Sequence, residues 1–242
     1  MYLSPSRHDT AACVMIFIPH AGGCGESYMP WFRHFPHEVD CRYLRLPARG
    51  ARGNEAMPDS IEQLADAALQ ALDTICDKQI AFFGHSMGGL IAFELARKME
   101  ICWRKPARAL FVSGCRAPGE PLTRCLSGLD DELFIRQLAG LGGTETVLLE
   151  QPALLRLFLS TLRQDIALCE RYAGPPPAPL QTPIHVIWGT EDDLITDVMI
   201  DSWRKFSTEG NVFFYPHQGD HFYHQQQSAS VCSIIYEKLN LD

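Results

Sequence analysis

Short apolar runs of strand length alternate along the chain with segments in which apolar residues recur every three or four positions. Residues 13–18, 41–46, 79–83, 108–113, 184–188 and 211–215 read as strands, several of them apolar on both faces. Strands that are apolar on both faces belong to a parallel sheet covered by helices on either side. Residues 60–75, 86–99, 197–207 and about 224–239 carry helical spacing instead. Ser60 with Gln63 three residues on fits a capping box, and Ile61, Leu64, Ala68 and Leu72 follow on one face. The alternation predicts an α/β chain, a doubly wound, mostly parallel sheet flanked by helices.

One stretch breaks that rhythm. Between Gly114 and Leu180 no strand is expected, but two amphipathic helices are. The first covers about 130–141, with Phe134, Leu138 and Leu141 on one face. The second covers about 152–172, with Leu155, Phe158, Leu162 and Ile166 at spacings of three and four. Gly174-Pro175-Pro176-Pro177-Ala178-Pro179 then ends the helix and leads stiffly to the next strand. The pattern predicts one domain over residues 1–242 with a helical insertion at about 114–180. Ordinary crossover helices are the alternative.

Composition narrows the function classes. Over 242 residues, 46% hydrophobic and 21% charged are globular values and exclude wholesale disorder. A net charge of −8 argues against a nucleic-acid partner. No apolar run approaches the roughly 18 residues of a membrane span, and no secretory leader is visible, so neither membrane nor export is expected. Nine scattered cysteines without a Cys-x-x-Cys pair predict no zinc or redox motif, and free thiols in a reducing cytoplasm.

The chemistry centres on Gly84-His85-Ser86-Met87-Gly88, a Gly-x-Ser-x-Gly motif between an expected strand and an expected helix. A sharp turn there pushes the serine hydroxyl off the sheet at the positive end of a helix, and glycines at 84 and 88 remove the collisions. A hydroxyl needs a base to become a nucleophile. The order Ser, acid, His is met after the last two strands, by Gly189-Thr190-Glu191-Asp192-Asp193 and Gly219-Asp220-His221-Phe222. His221 is the expected base. His217 and His224 lack its glycine lead-in, His85 adjoins the serine, and His20, His34 and His37 lie too early. Asp192 is the expected orienting acid, with Asp193 its close rival. The oxyanion donors expected are the N–H of Met87 and that of Ala21, in the glycine-rich loop after the first strand. This set needs no metal and no cofactor.

These motifs resemble the type II thioesterases, the stand-alone editing enzymes of nonribosomal peptide and polyketide synthases. The resemblance rests on Pro19-His20-Ala21-Gly22-Gly23, Leu46-Pro47-Ala48-Arg49-Gly50-Ala51-Arg52, the 84–88 motif, Leu133-Phe134-Ile135-Arg136 through Gly142-Gly143-Thr144, Leu162-Arg163-Gln164-Asp165, Gly189 to Ile195, and Gly219-Asp220-His221-Phe222. Ala48 stands where the family usually has glycine, and Asp193 where proline is common. The resemblance implies an α/β-hydrolase fold with the insertion as a lid. It implies a monomer that releases acyl groups from the phosphopantetheine thiol of an acyl or peptidyl carrier protein. Leu133, Phe134, Leu138, Phe158 and Leu162 would contact the acyl group or simply pack the lid. Arg42, Arg45, Arg49 and Arg52 are either a patch that steers an acidic carrier or a solvated loop. A fatty-acid-synthesis thioesterase of medium- or long-chain preference, a small-molecule esterase, and an inactive scaffold that binds a synthase remain as alternatives.

Overall fold

The computed structural model describes residues 2–139, 152–176 and 178–241. Six strands form one parallel sheet: β1 (Cys13–Ile18), β2 (Val39–Tyr43), β3 (Gln79–His85), β4 (Ala109–Ser113), β5 (Ile184–Gly189) and β6 (Val212–His217). Their spatial order is β2-β1-β3-β4-β5-β6. The chain first steps outward from β1 to β2, then returns to place β3 on the other side of β1. That reversal opens a crevice at the carboxyl ends of β1 and β3, where Ile18 is level with Gly84.

The central strands β1, β3 and β4 are apolar on both sides because each side meets a helical layer. Val14, Ile16, Ile18, Phe82 and Val112 pack on α1 (Ile61–Leu72) and α2 (Met87–Lys98) through Leu64, Ala68, Leu90 and Ile91. Met15, Phe17, Phe83 and Phe111 pack on the 3-10 helix Gly25–His34 and on α7 (Ser228–Leu239), through Tyr28, Trp31, Val231 and Ile235. Ser60 caps α1 by accepting the Gln63 N–H at 3.2 Å.

Several boundaries differ from expectation, for local reasons. Leu44 still donates its N–H to Phe17 O on β1, but the chain beyond β2 pairs instead with the N-terminal segment, the Arg45 N–H donating to Tyr2 O and Leu3 bridging Leu44. The helix expected at 197–207 is α-helical only over α5 (Asp197–Asp201) and tightens into a 3-10 turn, Ser202–Phe206. The one expected from 224 breaks at Gln227 into α6 (Tyr223–Gln226) and α7. Helix Gly25–His34, which periodicity does not predict, carries Pro30 inside it and is held by the burial of Tyr28, Trp31 and Phe32.

Between β4 and β5 lie α3 (Asp131–Ala139) and α4 (Pro152–Arg171). Leu126, Phe134, Leu138, Leu159 and Leu162 form a small apolar cluster of their own above the sheet. Leu141 and the Gly142-Gly143-Thr144 segment lie outside the described residues. Among the described residues, no helix is long and apolar enough to cross a membrane, and no cluster of His, Cys, Asp and Glu is arranged to hold a metal ion.

Candidate active site

Ser86 sits between β3 and α2 with φ +53° and ψ −118°, a backbone conformation that side-chain-bearing residues rarely adopt. The glycines around it make this possible. A Cβ at Gly84 would run into the Gly88 carbonyl, and one at Gly88 into the Ile18 carbonyl. The turn is pinned by the Ser86 N–H, which donates to Ser113 O at 2.8 Å. Met87 opens α2, so its N–H has no acceptor within the helix.

Asp192 and His221 come from the loops after β5 and β6. Two backbone bonds zip those loops together: Thr190 N–H to His217 O at 2.8 Å and Glu191 N–H to Gly219 O at 2.9 Å. Gly189 is required where they meet, because a Cβ there would strike the Gly219 and Asp220 carbonyls. The result is a buried contact in which His221 Nδ1–H donates to Asp192 Oδ2 at 2.7 Å. Asp192 Oδ1 accepts the Leu194 N–H at 2.9 Å. Its rival Asp193 is exposed. With Nδ1 committed to the carboxylate, Nε2 of His221 is left as the basic nitrogen. His221 and Ser86 border one largely apolar cavity with Ala21 and Met87. Among the described residues no direct hydrogen bond joins Ser86 to His221. Such contacts commonly lengthen in a substrate-free site and close with the substrate in place.

His217, His85 and His20 each have a hydrogen-bond partner other than Asp192. His217 Nδ1–H donates to Tyr215 O and Nε2 faces the Ser230 hydroxyl, both at 3.3 Å. His85 lies fully buried against His221 and His224, with ring centroids 4.8 and 3.9 Å away. Its Nδ1 meets Ser113 Oγ, which in turn meets Tyr223 OH at 2.6 Å. Burial holds His85 well below the usual imidazole range and lowers His20, and it pulls His224 down to about 3. Burial thereby disfavours the charged forms of the imidazoles packed around His221. His20 borders the cavity, and its Nδ1–H donates to Ala21 O at 2.9 Å.

Of the expected lid contacts, Leu138, Phe158 and Leu162 border the cavity. Leu133 and Phe134 do not. Leu133 is 41% exposed on the outer face of α3, and Phe134 is buried inside the lid cluster with the Arg163 guanidinium 4.1 Å from its ring centroid. Three of the four arginines at 42–52 are neither a steering patch nor a solvated loop. Arg42 pairs with buried Asp40 at 2.6 Å, Arg49 with buried Asp165 at 2.6 Å, and Arg52 with Glu55 while stacking on Tyr2. Arg45 lies 3.8 Å from Glu26. Arg42 and Arg52 turn to carboxylates two and three residues away, and Arg49 reaches one 116 residues on.

Gly114, which the sequence marks only as the start of the insertion, belongs to the site. With φ +51° it packs under the two imidazoles: a Cβ there would lie 2.7 Å from His85 Cε1 and 3.4 Å from His221 Cε1. The only signal was a glycine directly after a strand.

Residues 14–239 match the family model described as "Thioesterase domain". The chain is 32% identical over 236 residues to the gramicidin S biosynthesis protein GrsT of Aneurinibacillus migulanus, covering 96% of this chain and 91% of that protein. Its fold is similar to RedJ, a thioesterase of the prodiginine biosynthetic pathway in Streptomyces coelicolor (TM-score 0.86, 29% identity, 96% and 92% coverage). It is also similar to an alanine-for-serine mutant of YbtT, the type II thioesterase of the yersiniabactin NRPS/PKS pathway (TM-score 0.85, 30% identity, 99% and 97% coverage).

Proposed function

The chain belongs to the thioesterase domain family, and from that membership we propose how it works: as a type II serine thioesterase that frees acyl groups from the phosphopantetheine thiol of carrier proteins in nonribosomal peptide or polyketide synthesis. Its similarity to GrsT, RedJ and YbtT supports the pathway context. The observation that carries the mechanism is the buried Asp192–His221 pair, set on the same cavity as a serine in a strained turn.

Ser86 Oγ attacks the thioester carbonyl while His221 Nε2 takes its proton. Asp192 stabilises the imidazolium so formed. The developing oxyanion lies toward the N–H groups of Met87 and Ala21, and losing one such donor typically costs about 3 kcal/mol of barrier. Collapse expels the phosphopantetheine sulfur as thiolate, which takes the proton from His221 as it departs and leaves the imidazole neutral for the second step. A thiol of pKa near 8.5 leaves readily without full protonation, so attack and oxyanion stabilisation carry most of the barrier. Water, deprotonated by His221, then attacks the acyl-serine ester and regenerates the hydroxyl. Leu138, Phe158 and Leu162 supply apolar surface for the acyl group.

The test is an acyl panel loaded on carrier proteins, timed for wild type and Ser86→Ala. The reading requires hydrolysis that falls about 10⁴- to 10⁶-fold in the variant. It also requires acyl-carrier protein to be cleaved faster than a simple oxygen ester of the same acid.

A further inference from the structure

Helix α4 is fastened to the loop that carries the Ala21 N–H by a buried ion pair. Asp165 is fully buried on the face of α4 that also presents Phe158 and Leu162, seven and three residues earlier. Its Oδ2 accepts the Gly22 N–H at 2.7 Å. Arg49 grips the same carboxylate through two bonds, Nη1 to Oδ2 and Nη2 to Oδ1, each 2.6 Å. The guanidinium also donates to Gly23 O at 3.2 Å and Pro47 O at 3.1 Å. On the same peptide, the Ala21 carbonyl accepts His20 Nδ1–H at 2.9 Å. The peptide joining Ala21 to Gly22 is therefore pinned at both polar ends, its N–H by the lid helix and its C=O by His20. Gly22 has φ +75°, and a Cβ there would lie 3.1 Å from Leu162 Cδ1 and 3.2 Å from Phe158 Cε2, so the helix also closes the space above the loop.

Resting on the thioesterase reading above, the geometry points to Asp165 and Arg49 as positioning residues that hold the Ala21 N–H where negative charge develops, and so make the reaction conditional on the seating of α4. Neither side chain touches the reacting atoms. Movement of α4 withdraws the acceptor of the Gly22 N–H and frees the peptide next to the Ala21 donor. The oxyanion site is then complete only when the helix is seated on this loop. A preorganised donor acts through its fixed direction, which is what this carboxylate supplies.

A purely structural pair would behave differently. Buried ion pairs replaced as a unit by apolar side chains of similar size often lose no stability. The decisive variant is therefore Arg49→Met combined with Asp165→Leu, assayed on an acyl thioester of N-acetylcysteamine and against the matching trifluoromethyl ketone. The expected result is a folded protein with kcat about 100-fold lower, KM within about threefold, and a trifluoromethyl ketone inhibition constant raised in parallel with the kcat loss. Asp165→Asn, whose amide oxygen still accepts the Gly22 N–H, should lose only about tenfold. A double variant with kcat within threefold of wild type, a loss confined to KM, or an Asp165→Asn protein of unchanged kcat would each overturn the inference. A wild-type protein that cleaves no thioester would instead refute the functional reading beneath it.

Discussion

Asp192→Asn tests the site through a single proton. The two side chains have the same shape, and the structure decides which way the amide lies. Leu194 N–H donates to Asp192 Oδ1 and only an oxygen can accept it, so the new NH₂ must face His221 Nδ1. Nδ1 then becomes the acceptor and the ring proton moves to Nε2, the nitrogen that has to receive the serine proton. Flipping the amide restores the productive tautomer but leaves the Leu194 N–H facing a donor. That strands a part-buried N–H at about 2 kcal/mol, a factor of about 30. Even the flipped state lacks a negative charge opposite the imidazolium, worth about another 3 kcal/mol in a buried pair. Together these give a kcat loss of about 5 × 10³, close to the roughly 10⁴ expected when this acid is neutralised in a Ser-His-Asp triad. Thiol release from a saturating acyl thioester measures it, with thermal denaturation to show that the variant is folded. The exposed neighbour, Asp193→Asn, should stay within twofold. Retention of more than a tenth of kcat in Asp192→Asn, or a hundredfold loss in Asp193→Asn, would refute the assignment.

Gly84→Ala should lower stability by about 3 kcal/mol or more, because the added methyl collides with backbone that cannot move aside; a urea midpoint equal to wild type would contradict this. Ala48→Gly should raise stability by about 0.5–1 kcal/mol. Ala48 is held at φ +61°, where a Cβ costs about 1–2 kcal/mol, and the freer unfolded chain of the glycine variant returns part of the gain; a lower melting temperature would count against it. The histidine cluster makes stability acid-sensitive. His224 is pulled by burial, and then by His20 and His221, to about 3 in the fold, and His20 and His85 are lowered too, whereas the unfolded chain titrates near 6.5. Stability is therefore full above pH 6.5 and falls on acidification toward the folded values, because the unfolded state binds the extra protons, at about 1.4 kcal/mol per pH unit for each histidine. His224→Phe should flatten the slope of unfolding free energy between pH 4 and 6 by about that amount, and an unchanged slope would show that this ring is not neutral in the fold.

Most elements were legible because their causes are local. β1 ends where predicted, and α1 begins at its predicted cap, since alternation and capping are properties of a few adjacent residues. The helix Gly25–His34 was invisible because aromatic burial against β1 and β3, not propensity, holds it. The arginines at 42–52 could not be read correctly from charge alone. Two of their partners, Asp40 and Glu55, are near in sequence, but which way each arginine turns depends on the folded strand and loop, and Asp165 is 116 residues from Arg49. Leu133 and Phe134 share one helix with Leu138, yet only Leu138 reaches the cavity. A period of 3.6 marks an apolar face without saying what that face meets.

By itself the sequence determined the strand–helix alternation, the residue types at the turn around Ser86, and the order of serine, acid and histidine, because each is written in short-range pattern. The sequence ranked Asp192 ahead of Asp193, but only the tertiary structure put Asp192 against His221 and joined Asp165 to Arg49 and the Gly22 loop. Those choices turn on which way a side chain faces once distant loops are zipped together. A rotation of one residue in a turn separates a buried carboxylate from an exposed one, and no one-dimensional pattern carries that angle.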